Sequence, residues 1–239
     1  MNAVTTELYL DDSYLTMCET TIIAVEGNKV QLSGTVFYPA GGGQDSDTGM
    51  LMQLGEQVEV LRVKKEAGTI IHYVEEPHKL ALGPVTAAID WDRRSGLMKH
   101  HTLLHVLAAV CHRSYNSLCT GNQIYPDKAR IDLTGISELS REAIDRLIQK
   151  TNEELLENHE VTVRTVPRRD AEQLSGAIKT VVNLIPETVQ EVRLVKIGDI
   201  DEQACGGTHV KETGIIGQFI LEKMKNKGKG VTRLEVRAI

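Results

Sequence analysis

The chain has 239 residues, enough to bury a sizeable core in one large domain or two modest ones. With 41% hydrophobic and 25% charged residues it has a globular composition; aromatic residues at 4% leave the core to Val, Ile, Leu and Ala, and a net charge of -6 gives no global sign of a nucleic-acid partner. Four irregularly spaced cysteines, the lack of a basic-then-apolar leader and the lack of any run of about eighteen apolar residues argue against a disulfide framework, a secretory signal and a membrane span, so a cytoplasmic protein is expected.

Up to about residue 90 the chain alternates apolar and polar residues in short stretches, at Thr21 to Val25, Val30 to Leu32, Val58 to Val63, Ile70 to Val74 and Val85 to Ile89. Turn residues separate them at Glu26-Gly27-Asn28 and Ala67-Gly68, with a glycine-rich loop at 41 to 43, so residues 1–90 are expected to form a small, mostly antiparallel β-barrel. Near Asp90 the texture changes. Leu97 to Arg113 is too long for a strand and apolar around most of its circumference, the pattern of a core helix. Ser140 to His159 predicts an amphipathic helix, with Ile144, Leu147, Ile148, Thr151 and Leu155 on one side and Ser140 as N-cap. A strand at Val161 to Thr165, a short helix from about Arg169 to Ile178, and strands at Val192 to Ile197, Gly217 to Glu222 and Val231 to Arg237 follow. Residues 91–239 therefore read as an α+β domain, helices packed on an antiparallel sheet.

Two residue pairs carry chemistry. On a helix, His101 and His105 lie one turn apart on one face and can chelate one ion. The spacing is that of the metalloprotease helix, but Thr102 stands where that motif needs its Glu base, which argues against a peptidase. Cys205 and His209 share the same spacing, and Gly206 and Gly207 let the backbone turn between them. Either pair alone is more often a buried histidine or a small hydrophobic cysteine; together they make a His/His/Cys/His set suited to tetrahedral zinc, one ion per chain. His112 shares the helical stripe but lies about 10 Å along the axis from His105, too far for the same ion. The block Phe37-Tyr38-Pro39-Ala40-Gly41-Gly42-Gly43-Gln44 lacks the Lys-Ser/Thr of a phosphate loop and the GxGxxG pattern; by itself it reads as a barrel hairpin with little side chain.

Taken with the closing Lys229-Gly230-Val231-x-Arg233-Leu234-Glu235, the glycine-rich block, His101-Thr102-x-x-His105 and Cys205-Gly206-Gly207-Thr208-His209 resemble the editing domain of alanyl-tRNA synthetase and its free-standing AlaX-type relatives, in order and spacing over nearly the whole chain. The chain departs from the usual glycine-rich block after Gln44, reading Asp45-Ser46-Asp47 where a glycine commonly precedes the Asp. A threonyl-tRNA synthetase editing domain shares the two metal pairs, but the glycine-rich block followed by Gln44 points to the alanyl branch. The resemblance implies a barrel domain carrying the glycine-rich loop, a zinc-bearing editing domain, and hydrolysis of the ester joining serine, and in some cases glycine, to the terminal adenosine of alanine tRNA. It implies His101, His105, Cys205 and His209 as metal ligands, Thr102 and Gln44 at the amino-acid pocket, and Gly41, Gly42, Gly43 and Thr208 as substrate-binding positions. Rejecting alanine while accepting serine requires a site that pairs with the serine hydroxyl, and Thr102 is the natural partner.

For the RNA partner the strongest local feature is Lys223, Lys225, Lys227, Lys229, Arg233 and Arg237, six cations against Glu222 and Glu235. Arg168 with Arg169, and Arg93 with Arg94, are secondary candidates. The alternatives are a threonyl-type editing domain acting on serine attached to threonine tRNA, and a non-catalytic RNA-binding module that zinc holds together. The sequence does not define an oligomeric state.

Overall fold

The computed structural model describes residues 5–173 and 190–239. It divides into two compact units, Met1–Leu97 and Met98–Ile239.

In the first unit, β1 (Thr6–Glu7) and α1 (Leu8–Asp11) lead into β2 (Met17–Glu26), β3 (Lys29–Leu32), β4 (Gly34–Thr35), β5 (Gly49–Gln53), β6 (Glu56–Glu66), β7 (Thr69–Val74) and β8 (Gly83–Ile89). β2, β3, β7, β6, β5 and β8 close in that order into an antiparallel barrel, while β1 and β4 form a small parallel pair. Alternation explains the inward set: Val85, Ala87 and Ile89 of β8 are buried at every second position. In β6 the buried valines are 58, 60 and 63, because a register shift between Val60 and Arg62 inserts one residue and restores the inward phase at Val63. Closure between β5 and β8 depends on Gly49, where a Cβ would lie 2.1 Å from the Ala88 carbonyl oxygen. The five strands read from alternation are all present; β5 was not among them, nor was the β1–β4 pair.

α2 (Trp91–Tyr115) follows the barrel, and the boundary between the units falls inside it. It starts six residues before the expected Leu97, because the Asp90 carboxylate accepts the Arg93 N–H at 3.1 Å and caps the helix there. As its apolar circumference predicts, every residue from His100 to Cys111 is buried. The second unit continues with β9 (Cys119–Ile124), β10 (Ala129–Thr134), α3 (Arg141–Leu156), β11 (Val161–Pro167), α4 (Arg168–Gln173), β12 (Glu191–Ile197), β13 (Asp201–Ala204), β14 (Phe219–Gly228) and β15 (Val231–Ala238). Two antiparallel sheets result, ordered β14-β15-β10-β9 and β11-β12-β13. Ser140 caps α3 by accepting the Ala143 N–H, and Ala143, Leu147, Thr151 and Leu155 form its buried stripe. Asn152 ties α3 to β14, accepting the Phe219 N–H at 2.7 Å and donating to its carbonyl at 3.1 Å. The short helix expected from Arg169 to Ile178 is seen as α4 to Gln173; its remainder lies outside the described residues.

Candidate metal centre

His101 and His105 project from α2, and Cys205 and His209 from the loop after β13. All four meet in the second unit, with their ligand atoms within 4.8 Å of one another. The Cys205 sulfur lies 3.5 Å from His101 Nε2 and 3.3 Å from His209 Nε2. The edges of a tetrahedron built from zinc–nitrogen and zinc–sulfur bonds are roughly 3.4 to 3.6 Å, and the two sulfur–nitrogen separations are close to that length. The rings crowd as three ligands of one ion would, with centroids 5.2, 4.3 and 4.8 Å apart.

The loop is held from both sides. Arg193 of β12 donates to the carbonyls of Cys205 and Gly207 at 2.7 and 3.0 Å, and the Gly207 N–H points at the Cys205 sulfur at 3.4 Å, a contact that favours thiolate. Thr102, fully buried, donates to the Met98 carbonyl at 3.0 Å, accepts the Val210 N–H at 3.2 Å and lies 3.1 Å from His209 Nδ1. With the hydroxyl proton spent on Met98, the Nδ1 proton of His209 is the one shared with Thr102, which leaves Nε2 facing the other ligands. His105 Nδ1 is met by Asp201 Oδ2 at 3.0 Å.

Electrostatics follow from this crowding. Burial alone would pull His105 down, but the hydrogen bonds of Asp201 and Cys205 outweigh it and carry the pKa up to about 10. Burial, reinforced by the His101 ring, drives His209 down to about 3. Burial opposes ionisation of Cys205, yet His101 and His209 more than offset it and hold the thiol well below its usual range. A thiolate beside a protonated imidazole is an arrangement that a divalent ion replaces by taking up both lone pairs.

Other histidines have ordinary partners. His72 sits between the Thr35 hydroxyl at 2.8 Å and the Val30 carbonyl at 3.2 Å, and burial lowers it to about 4. His100 Nε2 accepts the Ala238 N–H, and His112 Nδ1 meets the Ser117 carbonyl.

In the first unit the glycine-rich block is a tight hairpin. Gly41 and Gln44 exchange backbone hydrogen bonds of 3.0 and 2.9 Å around Gly42 and Gly43, whose φ values of 58° and 86° suit glycine. Gly41 and Gly42 are exposed, Gln44 is buried, and Thr208 of the second unit is buried as well. Tyr38 and Asp47 form the next rung, the Tyr38 N–H donating to the Asp47 carboxylate at 2.6 Å and the Asp47 N–H to the Tyr38 carbonyl at 3.1 Å.

Two basic candidates are corrected. Arg94 is fully buried and bound to Asp47, so it presents no surface to RNA. Arg93 donates to Asp45 at 2.7 Å and to the Ser46 carbonyl at 2.8 Å. Lys223, Lys225, Lys227 and Lys229 are exposed along β14 and the β14–β15 turn, whereas Arg233 is clamped by both oxygens of Asp132 at 2.7 Å. Sequence reading missed Asp201, Arg193 and the Arg94–Asp47 pair, none of which has a spacing that marks it.

Comparison with known proteins agrees with this arrangement. The family model described as threonyl and alanyl tRNA synthetase second additional domain matches residues 192–235, and that described as tRNA synthetases class II (A) matches residues 10–93. An alanyl-tRNA editing protein AlaX-M of Saccharolobus solfataricus is 38% identical, covering 97% of this chain and 98% of that one. Another AlaX-M, of Methanosarcina acetivorans, is 38% identical over the same shares. An alanine–tRNA ligase of Hyperthermus butylicus is 36% identical over 98% of this chain, which spans only 25% of the ligase. Matched along almost its whole length to free-standing proteins of the same size, the chain belongs to the AlaX-M family of alanyl-tRNA editing proteins.

Proposed function

We propose that the chain is a trans-editing hydrolase, an aminoacyl-tRNA deacylase that removes serine, with glycine as second candidate, from mischarged alanine tRNA. The observation that carries this reading is the near full-length likeness to proteins named alanyl-tRNA editing proteins. Water adds to the ester carbonyl, the bond to the ribose oxygen breaks, the amino acid leaves as its free acid and the ribose oxygen takes up a proton. Such a protein works in the cytoplasm, where tRNA is charged and used. Its working division is a barrel domain of residues 1–90 and an α+β zinc-containing editing domain of residues 91–239.

One Zn2+ per chain would be held by His101, His105, Cys205 and His209, and bound there it would supply Lewis-acid polarisation or substrate orientation. Gly41, Gly42 and Gly43 offer backbone without side chains for close approach of substrate, Gln44 an amide that can both donate and accept, and Thr208 a further substrate-binding position. Thr102 and Gln44 are the proposed selectors of the amino acid; the Thr102 hydroxyl, already bonded to Met98, Val210 and His209 Nδ1, would have to exchange one of these partners for the serine hydroxyl. The experiment is deacylation of serine-, glycine- and alanine-charged alanine tRNA, with serine-charged threonine tRNA as comparison. Wild type is expected to release serine from alanine tRNA fastest, and Thr102→Val to lower the serine-to-alanine ratio by about tenfold or more, because the serine hydroxyl would then be buried without its partner. An unchanged ratio removes Thr102 from selection. Preference for threonine tRNA favours a threonyl-type editor, and no release from any tRNA favours a zinc-stabilised RNA-binding module.

For tRNA contact the proposed residues are Lys223, Lys225, Lys227, Lys229 and Arg233. Lys229 and Gly230, with φ of 53° and 73°, make the tight turn that carries these lysines at the hairpin end. Lys225→Glu combined with Lys229→Glu is expected to weaken tRNA binding and to flatten the slope of log affinity against log salt by about one to two. Binding titrations across a salt series check this; an unaltered slope rejects the patch.

A further inference from the structure

The cluster has a fifth buried polar partner that is not a ligand. Asp201 opens β13 opposite Ile197 of β12, and its side chain is completely shielded from solvent. Its Oδ2 receives the His105 Nδ1 contact at 3.0 Å and the Gln203 amide nitrogen at 2.9 Å, and that amide nitrogen also lies 2.9 Å from His105 Nδ1, so Gln203 and Asp201 meet the same ring nitrogen. Asp201 and Gln203 are two apart on one strand and so share a face, which makes β13 a small platform under the His105 ring. Asp201 itself stays outside the set whose ligand atoms converge.

Two physical consequences follow. A carboxylate on Nδ1 keeps the proton on that nitrogen, fixes the ring orientation and leaves the Nε2 lone pair for the cluster. A divalent ion held by one thiolate and three neutral imidazoles would carry a net charge of +1, costly among largely buried side chains; the Asp201 carboxylate would cancel it. Nearby Asp199 is a useful contrast, fully exposed and 3.3 Å from Lys196. Of these two aspartates, Asp201 has both the burial and the direction to act on the centre.

We propose that Asp201 is a positioning residue for His105, holding the imidazole so that Nε2 is the metal ligand and neutralising the buried centre. This rests on the reading of the four-residue cluster as a metal site. Metal-free wild type, Asp201→Ala, Asp201→Asn and Asp199→Ala are titrated with zinc against a competing chelator, and cobalt(II) absorption reports the geometry. Wild type and Asp199→Ala are expected to bind one ion with equal affinity, and Asp201→Ala to bind about 10- to 100-fold more weakly. Asp201→Asn, which keeps an acceptor oxygen without the charge, falls between them and serves as the test if the Ala variant does not fold. Asp201→Asn is also expected to shift the cobalt absorption bands, which loss of packing elsewhere would not do. Asp201 variants that bind as tightly as wild type, in a protein that does bind one ion, overturn this proposal alone. A wild type that binds no zinc or cobalt overturns the metal reading and this proposal with it.

Discussion

Cys205→Ala is expected to abolish the proposed metal binding and to lower serine release from alanine tRNA by more than about a hundredfold, beyond the range for loss of an outer partner of a metal ligand. Cys205 is the one anion among the four converging groups, and His101 and His209 both hold it in the charged form. Removing it would leave three neutral imidazoles to hold a dication, with Asp201 as counter-charge behind His105. It also removes the sulfur that the Gly207 N–H meets, so the loop loses its inner anchor while Arg193 retains the outer one. Metal content after gel filtration and single-turnover deacylation measure the two effects separately. One equivalent of zinc retained by the variant would remove Cys205 from the ligand set; metal lost with full hydrolysis retained would remove the ion from the reaction.

How much of this could be read from the residues depends on which interactions leave a local pattern. A helix imposes one-turn spacing on two ligands, and His101 and His105 show it; a short loop between two further ligands needs small residues, and Gly206 and Gly207 show that. Strands with one face inward alternate, so β2, β3, β6, β7 and β8 were readable. β9 was not, because Cys-Thr-Gly-Asn-Gln-Ile buries only Ile124 fully and presents no apolar period. β10 alternates, with Ala129, Ile131 and Leu133 buried, a period that the sequence carries. Asp201 is a different case. Its role comes from the register of β13 on β12 and from a contact across 96 residues, which nothing near it in sequence records. Arg94 misled for the complementary reason: a charged side chain is ordinarily solvated, and only the fold reveals a buried partner.

That buried pair sets the second large effect. Arg94→Met is expected to destabilise the first unit by about 3 to 5 kcal/mol, the usual cost of leaving one member of a buried ion pair uncompensated. Arg94 donates from Nε to both Asp47 oxygens at 3.0 and 3.1 Å, from Nη1 to the Ser13 carbonyl at 2.7 Å and from Nη2 to the Val36 carbonyl at 2.6 Å. One side chain therefore satisfies a carboxylate and two backbone carbonyls, and Asp47 and Val36 are fully shielded from solvent. Arg94→Met with Asp47→Leu removes the stranded charge and should recover part of the loss. Recovery stays incomplete, because the Tyr38 N–H and both carbonyls still lack their partners. Urea unfolding followed by circular dichroism gives both values, and a single-variant loss below about 1 kcal/mol would mean that water or a neighbour replaces the guanidinium. Zinc content separates local from global damage. The four ligands belong to the second unit, so below the unfolding transition Arg94→Met should retain its metal. Asp47 also makes the rung beneath the glycine-rich hairpin, so if that hairpin has its proposed role, hydrolysis should fall while the proposed metal binding stays.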